Sequence, residues 1–128
     1  MRVVLDASAA IAIALGDGAT DVGEIEEILA PDLFIPEVVN GIWKYHRFSG
    51  FSVPRCEELL ELATGLVDSI IPTRGLYRET FMLARATKHS AYELFYVVLA
   101  RREGVALLTH DKALHKLAQL QGVESKLS

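Results

Sequence analysis

The chain has 128 residues, of which 51% are hydrophobic and 8% aromatic, and a formal net charge of -4. This length suits one domain spanning residues 1–128 with a real core, and the composition excludes a disordered chain. Cys56 is the lone cysteine, which excludes an intrachain disulfide and a cysteine-built zinc site and makes an intracellular, cytoplasmic setting the natural expectation.

Arg2 to Leu5 reads as a buried strand. Ala7 to Leu15, rich in Ala, Ile and Leu, reads as a buried helix closed by Gly16-Asp17-Gly18. The apolar stretch of this N-terminus is interrupted by Asp6, and what remains is too short to span a bilayer. Asp21 precedes an expected amphipathic helix with Val22, Ile25, Ile28 and Leu29 on one face. Pro31-Asp32 breaks it, and Leu33-Phe34-Ile35 reads as a short second strand. Pro36 then suits the first position of a helix running to about Phe48.

Ser49 to Ser52 is a loop, and Pro54 opens a helix that buries Leu59, Leu60 and Leu62. Val67 to Ile71 reads as a third strand and Leu76 to Lys88 as a helix. Ser90 begins another helix through Ala100, with Tyr92, Phe95, Tyr96 and Leu99 as its core stripe. Val105 to Leu108 is the fourth strand, Lys112 to Leu120 the last helix, and Val123 to Leu127 a candidate edge strand. Strands alternating with helices predict an α/β fold: a three-layer α/β/α sandwich around a mostly parallel sheet of four or five strands.

Charge is distributed unevenly. Residues 1–68 carry twelve acids and four bases, a net of -8, while residues 69–128 carry five acids and nine bases, a net of +4. The second half therefore offers a basic surface (Arg74, Arg78, Arg85, Lys88, Arg101 and Arg102) able to attract phosphate backbones, or simply solvated helix faces.

Four acids stand out, and each has an innocent explanation. Asp6 and Asp111 each follow a strand and precede a helix, which is an N-cap position. Glu37 lies in a first helical turn, where it complements the dipole. Ser90 and Glu93 match a capping box. Their joint placement says more. Asp6 and Asp111 end strands that are neighbours if strand order reverses about the first strand, and ligands bind at such carboxyl edges. Glu37 starts from the same edge, and Glu93 begins the helix leading back to the fourth strand. Crowded carboxylates repel one another unless a cation compensates, and an all-oxygen set suits Mg²⁺ or Mn²⁺ over zinc.

The phrases V-V-L-D-A-S-A, P-E-V-V-N, S-A-Y-E-L-F-Y-V-V-L-A and L-L-T-H-D-K-A-L, in order over nearly the whole chain, resemble a PIN domain. The resemblance is strongest to toxin ribonucleases of the virulence-associated protein C (VapC) type. It implies a metal-dependent endoribonuclease, the toxin of a toxin–antitoxin pair. Asp6, Glu37, Glu93 and Asp111 would be its catalytic and Mg²⁺- or Mn²⁺-binding residues, with Ser8, Asn40 and Thr109 arranged around them. Glu93 stands where the family usually has Asp. That departure keeps open an alternative, a catalytically weakened PIN-like module that binds RNA or protein.

The implied partners are an RNA substrate, a cognate antitoxin and a second copy of the chain, with no membrane. Trp43, Tyr45, Phe48 and Phe51 exceed what one helix face can hide and suggest an interface. His46, His89, His110 and His115 show no metal-ligand spacing, and only His110, beside Asp111, is a candidate substrate contact. A receiver-like domain would pair a second acid with Asp6, and a haloacid-type phosphohydrolase would want an acid where Ser8 stands. No P-loop is present.

Overall fold

The computed structural model describes residues 1–17 and 24–127. Strand β1 (Arg2–Leu5) leads into helix α1 (Ala7–Leu15), and β2 (Glu27–Pro31) leads into α2 (Phe34–Ser49) and α3 (Val53–Thr64). Then come β3 (Ser69–Ile71), a 3₁₀ turn (Thr73–Gly75), α4 (Tyr77–Thr87) and α5 (Ala91–Glu103). β4 (Ala106–Thr109), α6 (Lys112–Leu120) and β5 (Ser125–Leu127) complete the chain.

The five strands form one sheet in the order β3-β2-β1-β4-β5, and every neighbouring pair is parallel. Strand order reverses about β1, so β1 lies between β2 and β4, with Val3 opposite both Ile28 and Ala106. The reversal on which the sequence reading is conditional is observed, and it makes Asp6 and Asp111 followers of adjacent strands. The sheet is fully parallel and has five strands, the C-terminal one included.

Helices α1, α2 and α3 pack on one another, α4 packs on α5, and α5 lies against β1, β2 and β4. Val3, Val4, Leu5, Leu107 and Leu108 from the strands meet Val97, Val98 and Leu99 from α5 in one continuous core. Parallel strands buried on both faces read as unbroken apolar runs. These do.

That same property explains two departures from the sequence-based expectation. Ile28 and Leu29 lie in β2 and not in an amphipathic helix; Asp21 and Val22 fall outside the described residues. A short apolar run has no period that distinguishes a buried strand from a buried helix. Leu33-Phe34-Ile35 is not a strand: α2 already begins at Phe34, with Pro36 in its first turn, where a missing N–H costs nothing. The third strand is shorter than expected and starts at Ser69.

The capping box at Ser90 does not form. Ser90 makes no side-chain cap bond, and the Glu93 carboxylate engages His89 (3.2 Å). The core stripe on α5 holds for Tyr96 and Leu99, whereas Tyr92 is 68% exposed. In α3, Leu59 is fully buried and Leu62 is exposed. The aromatic segment divides in two. Tyr45 and Phe51 meet at a tilt (ring centres 5.0 Å apart) and pack on the core, while Trp43 and Phe48 meet edge to face in solvent. The basic surface is partly neutralised, since Arg101 and Arg102 both pair with Glu79 at 3.4 and 3.8 Å.

Among the described residues, no helix is long and apolar enough to cross a membrane.

Candidate functional site

Asp6, Glu37, Glu93 and Asp111 line one cleft of about 270 Å³ at the carboxyl edge of the sheet, together with Ser8, Asn40, Lys44 and Tyr96. The topology explains this convergence. Asp6 leaves β1, Asp111 follows β4, Glu37 sits one turn into the helix after β2, and Glu93 sits in the first turn of α5.

Asp6 is the deepest of the four, at 5% exposure. It caps α1 by accepting from the Ala9 N–H at 2.8 Å, and the Ser8 hydroxyl donates to the same oxygen at 2.7 Å. Its other oxygen accepts from the fully buried Thr109 hydroxyl. Each hydroxyl has one proton, and both are committed to Asp6. What fixes the two rotors is the backbone beyond β4. The His110 N–H donates to Ser8 Oγ (3.1 Å) and the Asp111 N–H donates to Thr109 Oγ1 (3.0 Å). Two parallel relays thus run from backbone amide through hydroxyl to one carboxylate.

Asp111 caps α6, its Oδ1 accepting from Ala113 and Leu114 N–H groups at 2.8 and 3.2 Å. Glu37 accepts from the Tyr96 hydroxyl at 2.6 Å. The structural reading of the acids as helix caps is therefore correct for Asp6 and Asp111, and both also line the cleft.

The electrostatics are strained in one direction. Burial pushes Asp6, Glu37 and Glu93 above the usual carboxylate range. Hydrogen bonds from Thr109, Ala9 and Ser8 partly offset this for Asp6, as does Tyr96 for Glu37. Mutual repulsion adds to it: Asp6 feels Asp111, Glu37 feels Asp6 and Glu93, and Glu93 feels Asp111 and Asp6. Such a cleft attracts a cation.

The donor set is all carboxylate, the choice of a hard ion such as Mg²⁺ or Mn²⁺. However, among the described residues no three acids or other liganding side chains are already gathered around one point. Glu93 is drawn toward His89, Glu37 toward Tyr96, and Asp111 toward its own helix. Mg²⁺ keeps several waters and is held directly by one or two carboxylates, so acids that ring a cleft without meeting suffice for it.

Of the surrounding residues expected from the sequence, Ser8 and Thr109 contact Asp6, while Asn40 lines the cleft. Lys44, the cation among the cleft-lining residues, went unnoticed in the sequence, as did the contact of Tyr96 with Glu37. The spacing Glu37, Asn40, Gly41, Lys44 along one helix face was the available signal. The histidines do not form a set. His46 lies by the Phe51 carbonyl, His115 binds Ser125 at 2.8 Å, and His89 pairs with Glu93.

No family model matches the chain. Individual relatives do. It is 31% identical over 120 residues to the VapC ribonuclease Mb0985 of Mycobacterium bovis, covering 93% of each chain. The chain belongs to the VapC family. Ribonuclease VapC9 of Mycobacterium tuberculosis matches at the same 31% over 93% of each chain. Ribonuclease VapC3 of Pyrobaculum aerophilum is 29% identical, over 89% of this chain and 92% of its own.

Among solved structures, PAE2754 from Pyrobaculum aerophilum superposes with a TM-score of 0.77 at 23% identity, covering 98% of this chain and 83% of that one. A PilT N-terminus domain protein, SSO1118 from Sulfolobus solfataricus, superposes with a TM-score of 0.55 at 14% identity, over 99% and 87%. The VapC chain thus has the PIN-type fold expected from its sequence.

Proposed function

We propose that this VapC chain is a metal-dependent endoribonuclease and the toxin of a toxin–antitoxin pair, acting in the cytoplasm as a single PIN-like domain. Asp6, Glu37, Glu93 and Asp111 hold Mg²⁺ or Mn²⁺ in this reading. The observation that carries it is the convergence of four carboxylates, three of them pushed upward by burial and mutual repulsion, on one cleft at the strand-order reversal.

When bound, the ion supplies an acidified water and offsets charge developing on the phosphate. The chain's own residues do the rest. The Ser8 and Thr109 relays hold Asp6 in one orientation. Asn40 presents an amide to water or ribose, and Lys44 offers a cation to the phosphate backbone at the rim of an otherwise acidic cleft. Relatives named ribonucleases favour this over a catalytically weakened binding module.

Helix α2 carries Ile35, Val39 and Trp43 at a four-residue spacing, 39%, 49% and 51% exposed, with Phe48 at 71% beyond them. Such a stripe suits burial against a protein, and we assign it to the antitoxin or a second copy of the chain. Trp43→Asp is expected to abolish that association, read as molar mass by light scattering with and without the partner.

The activity is tested with purified protein and a mixed RNA substrate. EDTA is expected to stop cleavage, Mg²⁺ or Mn²⁺ to restore it, and Glu93→Gln to lower it more than about 100-fold, beyond the usual cost of losing an outer-shell partner. Undiminished cleavage in EDTA would refute the metal role. Absence of cleavage under every condition would favour the binding-module alternative.

A further inference from the structure

We propose that Tyr96 is a positioning residue that ties down one oxygen of Glu37, so that Glu37 meets a metal ion chiefly through its second oxygen. The inference rests on the metal-centre reading above and adds to it a determinant of which ion is taken.

Tyr96 is 1% exposed, on the helix that crosses β1, β2 and β4, and its ring is part of the core. Only its hydroxyl reaches the cleft. That oxygen donates to Glu37 Oε1 at 2.6 Å. An ionised carboxylate can only accept, so the phenolic proton faces Glu37. A tyrosine hydroxyl ordinarily ionises only at pH ~10, so the donor is present at neutral pH. Short bonds to a carboxylate are among the stronger hydrogen bonds.

A carboxylate oxygen that already accepts a short charge-assisted hydrogen bond is the poorer ligand, which favours binding an ion through the other oxygen. Small octahedral ions accept this arrangement. Ca²⁺, with six to eight oxygen ligands and frequent bidentate carboxylates, gains less from it. At Asp111 the cap bonds likewise occupy Oδ1, and at Glu93 His89 occupies Oε2. Tyr96 is the place where deleting a single atom tests the idea.

Tyr96→Phe retains the ring and removes the hydroxyl. Calorimetric titration of the full chain with Mn²⁺ and, separately, with Ca²⁺, in the absence of RNA, is expected to show Mn²⁺ binding weakened about tenfold. Ca²⁺ binding should weaken less, so that the preference between the ions narrows. A mere packing role would alter urea stability and leave that preference unmoved.

A second variant guards against misfolding of the first. Tyr96→Met also removes the hydroxyl and fills the buried position with a flexible apolar side chain. It should weaken Mn²⁺ binding as Tyr96→Phe does. Mn²⁺ affinity within twofold of wild type in both variants overturns the inference alone. Failure of the wild type to bind Mn²⁺, or unchanged binding by Asp6→Asn, overturns the metal-centre reading and this inference with it.

Discussion

Replacing Thr109 by valine isolates the relay that holds Asp6. Thr109 is fully buried, and valine keeps its branched shape, so packing changes little. Two hydrogen bonds go, together with a longer contact to Ser8 Oγ at 3.3 Å. One is the donor to Asp6 Oδ2, and a hydrogen bond to a charged group is worth roughly 1.5–3 kcal/mol. The other is the acceptor for the Asp111 N–H, a neutral bond of about 1 kcal/mol beside a half-buried residue. The expected loss is about 3 kcal/mol at neutral pH in EDTA, a fall in Tm of roughly 10 °C.

The pH dependence is a sharper test than the magnitude. Asp6 already lies above the ordinary carboxylate value of 3.8, and Thr109 is the largest of the groups pulling it back down. Without Thr109 it rises further. A raised acid leaves the folded state better protonated than the unfolded chain, so stability is lost as pH climbs from the unfolded value through the folded one. The penalty of Thr109→Val should therefore be larger at pH 7.5 than at pH 4, measured by urea unfolding at both. A penalty under about 0.5 kcal/mol, or one equal at the two pH values, refutes the relay.

The same linkage extends to the whole cleft: without metal, wild-type stability should fall as pH rises above about 4, and Asp6→Asn should flatten that slope in melts run across pH. Gly41 lets α2 approach α1, since a Cβ there would lie 2.5 Å from the Ile11 terminal methyl. Gly41→Ala should destabilise by about 1 kcal/mol in denaturant titrations, the overpacking exceeding the gain in helix propensity. Lys44→Ala should raise KM for RNA, leave kcat nearly unchanged and reduce the salt dependence of binding by roughly 0.7 in log–log slope, read from steady-state rates and binding at several ionic strengths.

Much of the site was legible because strand ends are written locally. Val3 to Asp6 and Ala106 to Asp111 show apolar runs stopping before a capping acid, whereas the reversal of order about β1, which makes those acids neighbours, is supplied by the fold. The region around β2 was misread for a physical reason: Ile28-Leu29-Ala30 is buried on both faces and has no period, and Phe34 is equally apolar at the start of a helix. Glu93 shows a different limit. Its capping-box spacing was correct, but the choice between Ser90 and His89 is set by side-chain geometry that spacing does not encode. Tyr96 looked like core and is core. Its hydroxyl becomes informative only when α5 and α2, 59 residues apart at this contact, are brought together.

The most direct test of the central claim is the initial rate of RNA cleavage against Mn²⁺ concentration for wild type and Asp6→Asn. The four-carboxylate site calls for a saturable rise from near zero in the wild type and a rate lower by more than about 100-fold in the variant at every concentration. Cleavage independent of Mn²⁺, or equal rates for the two proteins, would contradict it.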